Sequence, residues 1–292
     1  MDERAALSLV SDLVGGAGDD AAMLEDLVFT IDMLHASTDF PAGTTRYTQG
    51  WRAVGASLSD VAAMGAAAIG TVAVYGAPDF EPAELTAFVE GATAVSEAVD
   101  ASYVGGDLDQ HEEFTVSSAA IGRTNDPVWR DGATPGEVVC VTGTLGRTAA
   151  GVRAFRDGET DLGNDLFQFM PRVEAAQQLA GSATAMMDSS DGLARSLHQI
   201  GEASDVGFSV DGEAIPIAPE LEDRAGEGDL LDLAVGFGED FELVCTMPEE
   251  RVPTVRASLD IPLTVVGTVT EASLGIELDG EELADTGYTH GT

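Results

Sequence analysis

Short acidic segments punctuated by Gly, Ser or Thr recur along this 292-residue chain, several of them where a predicted strand meets a loop. They are GDDAA (18–22), TID (30–32), SLSDVAAMG (57–65), VGGD (104–107), MDSSDGL (187–193) and GFGED (236–240), with the Gly-rich GTLGRTAAG (143–151) between them. Carboxylates beside glycines at such junctions suit the binding of several Mg²⁺ ions against the phosphates of a nucleotide. The pattern therefore favours phosphoryl transfer.

The charge balance restricts both the environment and the partners. The chain has 52 acidic residues against 13 basic ones, a formal charge of −39, and every basic residue is Arg. Molar salt, which shortens the Debye length to about 3 Å, makes such self-repulsion tolerable, so we expect a halophile. Without Lys there is no Lys-containing phosphate loop, and metal ions and Arg must neutralise phosphate. Nucleic acid and anionic membranes are not expected partners.

Composition also indicates a folded, cytoplasmic protein. Hydrophobic residues make up 44% of the chain, which is enough for a sizeable core. Cys140 and Cys245 each stand alone in an apolar run, as buried strand thiols do, so we expect neither a disulfide framework nor a thiolate metal site. We find no signal peptide and no apolar stretch of membrane-spanning length, which is about 18 residues.

The order of predicted elements indicates two α+β domains in tandem. Strands and helices alternate through the first half, and a polar segment with two prolines at 122–137 interrupts the pattern. We place the boundary there, giving domains 1–135 and 136–292. In the second half we expect one longer helix over 165–181, kinked at Pro171, and a hairpin at LDGEEL (278–283).

Spacing must separate functional acids from the rest, because roughly one position in six is acidic. Asp19 and Asp20 fit an Asx-turn or helix cap as well as a ligand role. Thr30 and Asp32 lie two apart on a strand and so project to one face. Asp60 lies in a predicted helix whose other residues are mostly small or apolar. No basic residue lies within seven positions of it, which favours a bound cation.

Two further segments are placed to meet phosphate. Asp188, Ser190 and Asp191 follow an apolar strand and precede a helix, which aims backbone N–H groups at an anion. An N-cap by Ser190 or Asp191 is compatible with this role, since one residue can do both. VGGD fits an ordinary Gly-rich turn as well as a nucleotide contact. The four histidines lack metal-ligand spacing and no G-x-S-x-G motif is present, which disfavours a covalent nucleophile.

In order and spacing, these segments resemble the motifs of the thiamine-monophosphate kinase family, part of the aminoimidazole ribonucleotide synthetase-like superfamily. The resemblance runs from GDDAA to GYTH (287–290) and includes GW-x-A, SD-x-A-x-G, VGGD, GTLG, MD-x-SDGL and GED-x-E-L. It implies a two-domain α/β (α+β) fold whose N-terminal mixed sheet pairs in a homodimer, with a C-terminal α/β domain. It also implies transfer of the γ-phosphate of ATP onto thiamine monophosphate with several Mg²⁺ ions.

The resemblance implies roles for individual residues. Its metal ligands would be Asp20, Thr30, Ile31 through its carbonyl, Asp32, Asp60, Asp107, Asp188 and Asp191. Its ATP contacts would be Gly106, Arg130 and Ser190, and its substrate contacts Asp39, Glu239 and the aromatic platform Tyr288. No general base is implied, because the acceptor phosphate oxygen is already ionised.

The chain departs from the family pattern at four positions. Asp39 stands where the family often has a substrate-contacting His, and Ile31 replaces the second Thr of a T-T-D segment. A tyrosine that the family places near the nucleotide maps close to Val89 in this chain. Arg147 follows GTLG where the family usually has Asp. Two alternatives therefore stay open: another ATP-using synthetase of the superfamily, or a catalytically silent nucleotide sensor. A selenophosphate synthetase is less expected, because it would need a Lys and a reactive Cys near the start of the chain.

Overall fold

Two mixed β-sheets, each built from one part of the chain, form the framework of the protein. A computed structural model describes residues 9, 10, 13, 14, 18–225 and 230–287. The first sheet contains β1 (Ala22–Leu24), β2 (Leu27–His35), β3 (Ala67–Ala77), β4 (Ser102–Gln110) and β5 (Thr115–Arg123). Its spatial order is β1-β2-β5-β3-β4, and β3 and β4 are its parallel pair. One face of this sheet is covered by the two helices α1 (Arg46–Ala63) and α2 (Pro82–Glu97).

Strand β2 presents different side chains to its two faces. Thr30 and Asp32 point towards α1, where they meet its polar residues, while Ile31 and Met33 point to the opposite, exposed face. This is the alternation expected of a strand, and it places the acidic side chain of the TID segment inside the protein.

Two glycines let α1 and α2 approach each other closely. A Cβ atom added to Gly50 would lie 2.1 Å from the Phe88 carbonyl oxygen, and one added to Gly91 would lie 2.0 Å from the Tyr47 carbonyl oxygen. No side chain fits at such a distance. The first helix is also capped, since the Thr45 hydroxyl accepts the backbone N–H of Thr48 at 3.2 Å.

The turn considered for VGGD is wrong, because β4 continues through Gly105, Gly106 and Asp107. A register shift between Thr71 and Ala73 of β3 accommodates Gly105, whose φ of +138° suits glycine. Gly106 is fixed by packing, since a Cβ there would lie 1.7 Å from the Ala73 carbonyl oxygen.

The second sheet is also mixed and follows the order β12-β11-β8-β10-β6-β9-β7. Its strands are β6 (Val138–Thr142), β7 (Ala185–Asp188), β8 (Val206–Val210), β9 (Leu243–Met247), β10 (Leu263–Glu271), β11 (Ile276–Leu278) and β12 (Glu281–Glu282). The predicted hairpin is confirmed, with Asp279 and Gly280 at positive φ between β11 and β12. The helices of this part are α3 (Arg147–Arg156), α4 (Thr160–Phe167), α5 (Val173–Leu179), α6 (Leu193–Ser204), α7 (Pro219–Glu222), α8 (Leu230–Gly236) and α9 (Val252–Ser258).

The single kinked helix expected around Pro171 is instead two helices, α4 and α5. Between them, main-chain carbonyls bond to side chains rather than to the next helical turn. Trp51 Nε1 donates to the Phe169 carbonyl at 2.6 Å, and Arg52 Nη1 donates to the Phe167 carbonyl at 2.7 Å. Proline cannot supply a helical N–H, and these side chains take the carbonyls left free.

The two cysteines are buried strand thiols, as predicted. Cys140 of β6 lies directly opposite Cys245 of β9, and both are free. The neighbouring Cys140 thiol, together with burial, raises the pKa of Cys245 well above its usual range. In the described part of the chain, no helix is both long and apolar enough to cross a bilayer.

Helix α1 connects the two sheets. It packs on β2, β3 and β5 of the first sheet and also contacts β7 of the second. Its last two turns therefore lie where the ends of strands from both parts of the chain come together.

Candidate functional site

Three carboxylates from distant parts of the sequence meet at the end of α1. Asp20 precedes β1, Asp60 lies in the last turns of α1, and Asp188 ends β7. Each contributes one oxygen, and these oxygens lie within 4.8 Å of one another. Like charges at this distance repel strongly in a buried site unless a cation or protons offset them.

Hydroxyl groups orient these carboxylates. Ser59 Oγ donates to Asp188 Oδ2 at 2.6 Å, and Ser190 Oγ donates to Asp188 Oδ1 at 2.7 Å. The Thr30 hydroxyl donates to Asp60 in the same way. The polar small residues of SLSD thus serve the cluster from within an otherwise apolar helix.

Burial dominates the protonation of the cluster. It raises the pKa of Asp60 well above its usual range, and the nearby charges of Asp32, Asp188 and Asp20 add to the effect. Burial likewise raises the pKa of Asp20, against the lowering effect of Arg130. Asp32 also belongs to this group: burial raises its pKa to about 6, although the hydrogen bond from Ser57 at 2.6 Å favours its charged form.

The donor set fits divalent cations. Carboxylate and hydroxyl oxygens are the ligands that Mg²⁺ takes in proteins. Oδ2 of Asp20 is buried and has no hydrogen-bond donor among the described residues. A bound cation would satisfy this oxygen and offset the mutual repulsion of the three carboxylates.

Arg130 lies beside the cluster. Its Nη2 is 3.0 Å from Asp20 Oδ1 and its Nε is 3.5 Å from Asp19 Oδ1, while its backbone N–H donates to Asp19 Oδ2 at 3.0 Å. Asp19 Oδ1 also accepts the N–H of Asp20 at 2.9 Å, but this bond goes to the next residue and so is not the Asx-turn considered for this segment. Asp19 thereby fixes the loop, and Asp20 faces the other carboxylates.

The MDSSDGL segment forms a tight loop between β7 and α6. Asp188 and Ser189 are fully buried, while Ser190 and Asp191 are half-buried, and Asp191 stands outside the group of three close carboxylates. Gly192 at φ +99° turns the chain into α6, which is 12 residues long. The first turn of α6 therefore directly follows the loop that carries Asp188 and Ser190.

Two of the predicted site residues, Gly106 and Asp107, are not brought to this cluster. The side chain of Ile31 is 74% exposed on the opposite face of β2, and its predicted ligand is the backbone carbonyl, which stays a prediction. Gly106 and the exposed Asp107 lie on the edge strand β4, three strand spacings away from β2, which corresponds to about 14 Å. Tyr288 lies outside the described residues.

The remaining predicted residues line a separate cleft of about 890 Å³. Asp39 and Glu239 face it from the two parts of the chain, and four aromatic rings contribute to its wall, those of Phe40, Phe155, Phe167 and Phe237. The Asp39 carboxylate accepts the backbone N–H of His35 at 2.6 Å and the hydroxyl of Thr38 at 2.8 Å. These bonds fix the loop that follows β2.

Sequence reasoning missed two residues that hold the GFGED loop. Arg52 of α1 is only 2% exposed, and its guanidinium pairs with Glu239. Asp240 accepts the backbone N–H of Thr148 at 2.8 Å and that of Gly146, and so caps α3. Burial raises the pKa of Asp240 to about 6, against the effect of these two hydrogen bonds. The signal for Arg52 was available, because an Arg followed by the small or apolar residues of 53–56 needs a buried partner.

Comparison with known proteins identifies similar sequences and structures. The model for the AIR synthase related protein N-terminal domain matches residues 18–124, and that for the C-terminal domain matches residues 134–279. Thiamine-monophosphate kinase from Halobacterium salinarum is 59% identical over 290 residues, covering 99% of this chain and 100% of the relative. This relative agrees with the expected halophilic origin.

Two solved structures are similar over nearly the whole chain. Thiamine-monophosphate kinase from Stenotrophomonas maltophilia K279a has a TM-score of 0.83 and 31% identity, covering 96% of this chain and 95% of its own. The structure of AaThiL complexed with AMPPCP and TMP has a TM-score of 0.90 and 27% identity, covering 99% and 97%. The two-domain α/β architecture expected from the motifs is therefore confirmed.

Proposed function

Because this chain belongs to the thiamine-monophosphate kinase family, we propose that it transfers the γ-phosphoryl group of ATP to the phosphate of thiamine monophosphate. The products are thiamine diphosphate and ADP. ATP is a cytoplasmic metabolite, so we place the reaction in the cytoplasm. The observation that carries the proposal is the convergence of Asp20, Asp60 and Asp188.

The buried carboxylates have the chemistry to hold Mg²⁺. Asp20, Asp60 and Asp188 would be direct ligands, with Thr30 and Asp32 beside them. Mg²⁺ bound there would neutralise phosphate charge, which is the main obstacle to joining two phosphate groups. We also assign Asp191 to this site, since it lies on the loop that carries Asp188.

The nucleotide phosphates would lie between the cluster and the start of α6. We assign Ser190 and Arg130 as phosphate contacts, since both lie beside the carboxylate cluster, and the helix end would add a favourable dipole. The complex of AaThiL with AMPPCP supports ATP as the phosphoryl donor. A general base is unnecessary, because the acceptor oxygen carries a negative charge at neutral pH.

The cleft between the two parts of the chain suits thiamine. Thiamine carries a cationic thiazolium ring and an aromatic pyrimidine, and the cleft offers aromatic walls with the carboxylates of Asp39 and Glu239. The TMP in the AaThiL complex supports this choice of acceptor. We assign Tyr288 to the same subsite from its motif. Asp39, in place of the family's His, would contribute charge rather than ring stacking.

We further propose that the exposed face of the first sheet pairs in a homodimer. The strand register aligns Ile31, Met33, Val72, Val74 and Ile121 on that face, and each is more than a third exposed. A monomer leaves this apolar surface in water. Gly106 and Asp107 lie on the edge strand of the same sheet, so we assign them to the nucleotide site of the dimer.

We take residues 1–135 and 136–292 as the functional domains, which agrees with one sheet in each part.

The test is formation of thiamine diphosphate by purified protein in about 2 M KCl with ATP and Mg²⁺. We expect turnover by the wild type, none by Asp60→Asn, and full turnover by Asp26→Asn, which removes an exposed carboxylate paired with Arg123. ATP binding without turnover would instead support the nucleotide sensor. Turnover of another phosphorylated acceptor, but not of thiamine monophosphate, would support a different synthetase.

A further inference from the structure

Arg52 is buried at the junction of the two parts of the chain. It belongs to α1, yet its hydrogen bonds go to residues of the second part. Nη1 donates to the Phe167 carbonyl at 2.7 Å, and Nη2 lies 3.0 Å from the Glu239 carbonyl oxygen and 2.5 Å from Glu239 Oε2. One guanidinium therefore binds both the backbone and the carboxylate of Glu239.

Aromatic rings surround the same guanidinium. Its central carbon lies 3.8 Å from the centroid of the Phe167 ring, and 5.3 and 5.4 Å from the rings of Phe169 and Phe241. Those last two rings are stacked, with centroids 4.0 Å apart. Planar stacking with several directed hydrogen bonds is a property of Arg that Lys does not share.

The backbone that Arg52 binds is unusual. Glu239 has φ +65° and Phe241 has φ +54°, a backbone region that residues other than glycine rarely adopt. The conformation of Glu239 is held from three directions. Its N–H donates to the Ser190 carbonyl at 2.6 Å, and its carbonyl accepts from the Thr148 hydroxyl at 2.8 Å as well as from Arg52.

We propose that Arg52 is a positioning residue for recognition of the thiamine moiety. It holds Glu239 in the left-handed conformation at the wall of the cleft. The backbone N–H of Glu239, not Arg52, then joins this loop to the loop of Ser190. The inference rests on the proposed function, since it takes Glu239 as a substrate contact. Loss of Arg52 would free the loop to relax, and would disturb the thiamine subsite before the nucleotide subsite.

The experiment compares KM for thiamine monophosphate with KM for ATP in four variants. Arg52→Met should raise KM for thiamine monophosphate at least tenfold while KM for ATP stays within twofold. Arg52→Lys should recover part of this loss, because an ammonium pairs with Glu239 but cannot bind the Phe167 carbonyl at the same time. Glu239→Gln should also raise KM for thiamine monophosphate. The double variant Arg52→Met/Glu239→Gln should have a KM no higher than that of the more impaired single variant.

Arg46→Met is the matched control. Arg46 lies on the same helix, pairs with Glu84 at 2.5 Å and stacks 3.9 Å from the Phe114 ring. Unlike the partners of Arg52, these residues lie in the first part of the chain. Arg46→Met should leave KM for thiamine monophosphate unchanged. Thermal melting in about 2 M KCl checks that each variant is folded. If Arg52→Met does not fold, the comparison of the two KM values is made with Arg52→Lys instead.

Equal increases in both KM values, or additive effects of the two substitutions, would overturn the positioning role while leaving the kinase activity intact. A wild-type protein that makes no thiamine diphosphate would reject the proposed function, and the inference with it.

Discussion

Ser59 Oγ donates a hydrogen bond of 2.6 Å to Asp188 Oδ2, and both residues are fully buried. Ser59 comes from α1 in the first part of the chain, and Asp188 ends β7 in the second. The orientation of one carboxylate in the cluster thus depends on the correct packing of two sheets that are far apart in sequence. The proposed metal site forms only when both parts are docked.

Replacing Ser59 by Ala should weaken metal binding and stability together. A buried carboxylate oxygen would lose its donor, which costs about 1–3 kcal/mol. We expect a higher Mg²⁺ requirement for activity and an earlier urea transition in about 2 M KCl. Ser37→Ala is the control, because Ser37 bonds to Glu113 at the surface. Equal Mg²⁺ requirements in wild type and Ser59→Ala would show that this bond does not orient the site.

Asp60→Asn should stabilise the metal-free protein while abolishing activity. The raised pKa of Asp60 means that folding brings its charge into an unfavourable site, at a cost of about 1.4 kcal/mol for each unit of pKa. We expect a higher Tm for the variant in EDTA, and a smaller increase in Tm when Mg²⁺ is added. Thermal melts with and without Mg²⁺ measure both effects. A lower Tm in EDTA would mean that the Thr30–Asp60 hydrogen bond outweighs the repulsion.

Asp240 should make stability fall as the pH rises through about 6. Its pKa is raised in the folded state from 3.8 to about 6, so the folded state keeps a proton that the unfolded state has lost. Stability present at low pH is therefore lost on raising the pH, by about 1 kcal/mol between pH 5 and pH 7. Asp240→Asn should lack this loss in urea melts, and the exposed Asp79→Asn should retain it. Parallel pH profiles for wild type and Asp240→Asn would contradict the assignment.

Gly91→Ala should destabilise the protein although alanine favours helices. The added methyl group would overlap the Tyr47 carbonyl and push α2 away from α1, at a cost of about 2 kcal/mol. Gly181→Ala is the control, since a Cβ there meets open space. Urea unfolding of the two variants compares them directly, and equal midpoints would show that the helix pair adjusts without strain.

Ile31→Glu should convert the proposed dimer to a monomer. The side chain is 74% exposed on the face assigned to the interface, and a charge buried there would have no partner. Light scattering in about 2 M KCl measures the mass, and Leu274→Glu, which alters an exposed residue of the second part, should leave it unchanged. A wild-type protein that is monomeric at micromolar concentration would refute the interface.

Local patterns predicted the centre of the cluster well. Thr30 and Asp32 were assigned to one face from their spacing, and Asp60 was singled out because its helix offered no nearby cation. Both arguments need only local geometry and the cost of burying charge. The order of predicted strands and helices, together with the family resemblance, likewise predicted the two-domain fold.

Tertiary contacts decided the rest. The break between α4 and α5 depends on Arg52 and Trp51, which lie more than a hundred residues away. The position of Asp107 depends on strand order, because the motif alone does not reveal that β4 is an edge strand. The role of Asp240 depends on its contact with the first turn of α3. A local pattern can show that a buried charge such as Arg52 needs a partner, but it does not show which distant residue supplies that partner.

The alternation along β2 links chemistry to association. Neighbouring residues of one strand serve opposite purposes, Thr30 and Asp32 on the inner side and Ile31 and Met33 on the outer. A slip of the strand by a single residue would exchange the two sets, exposing the acid and burying the aliphatic chains. Inserting one residue into β2 should therefore disrupt the acidic site and the exposed apolar face together, because every side chain after the insertion would change face.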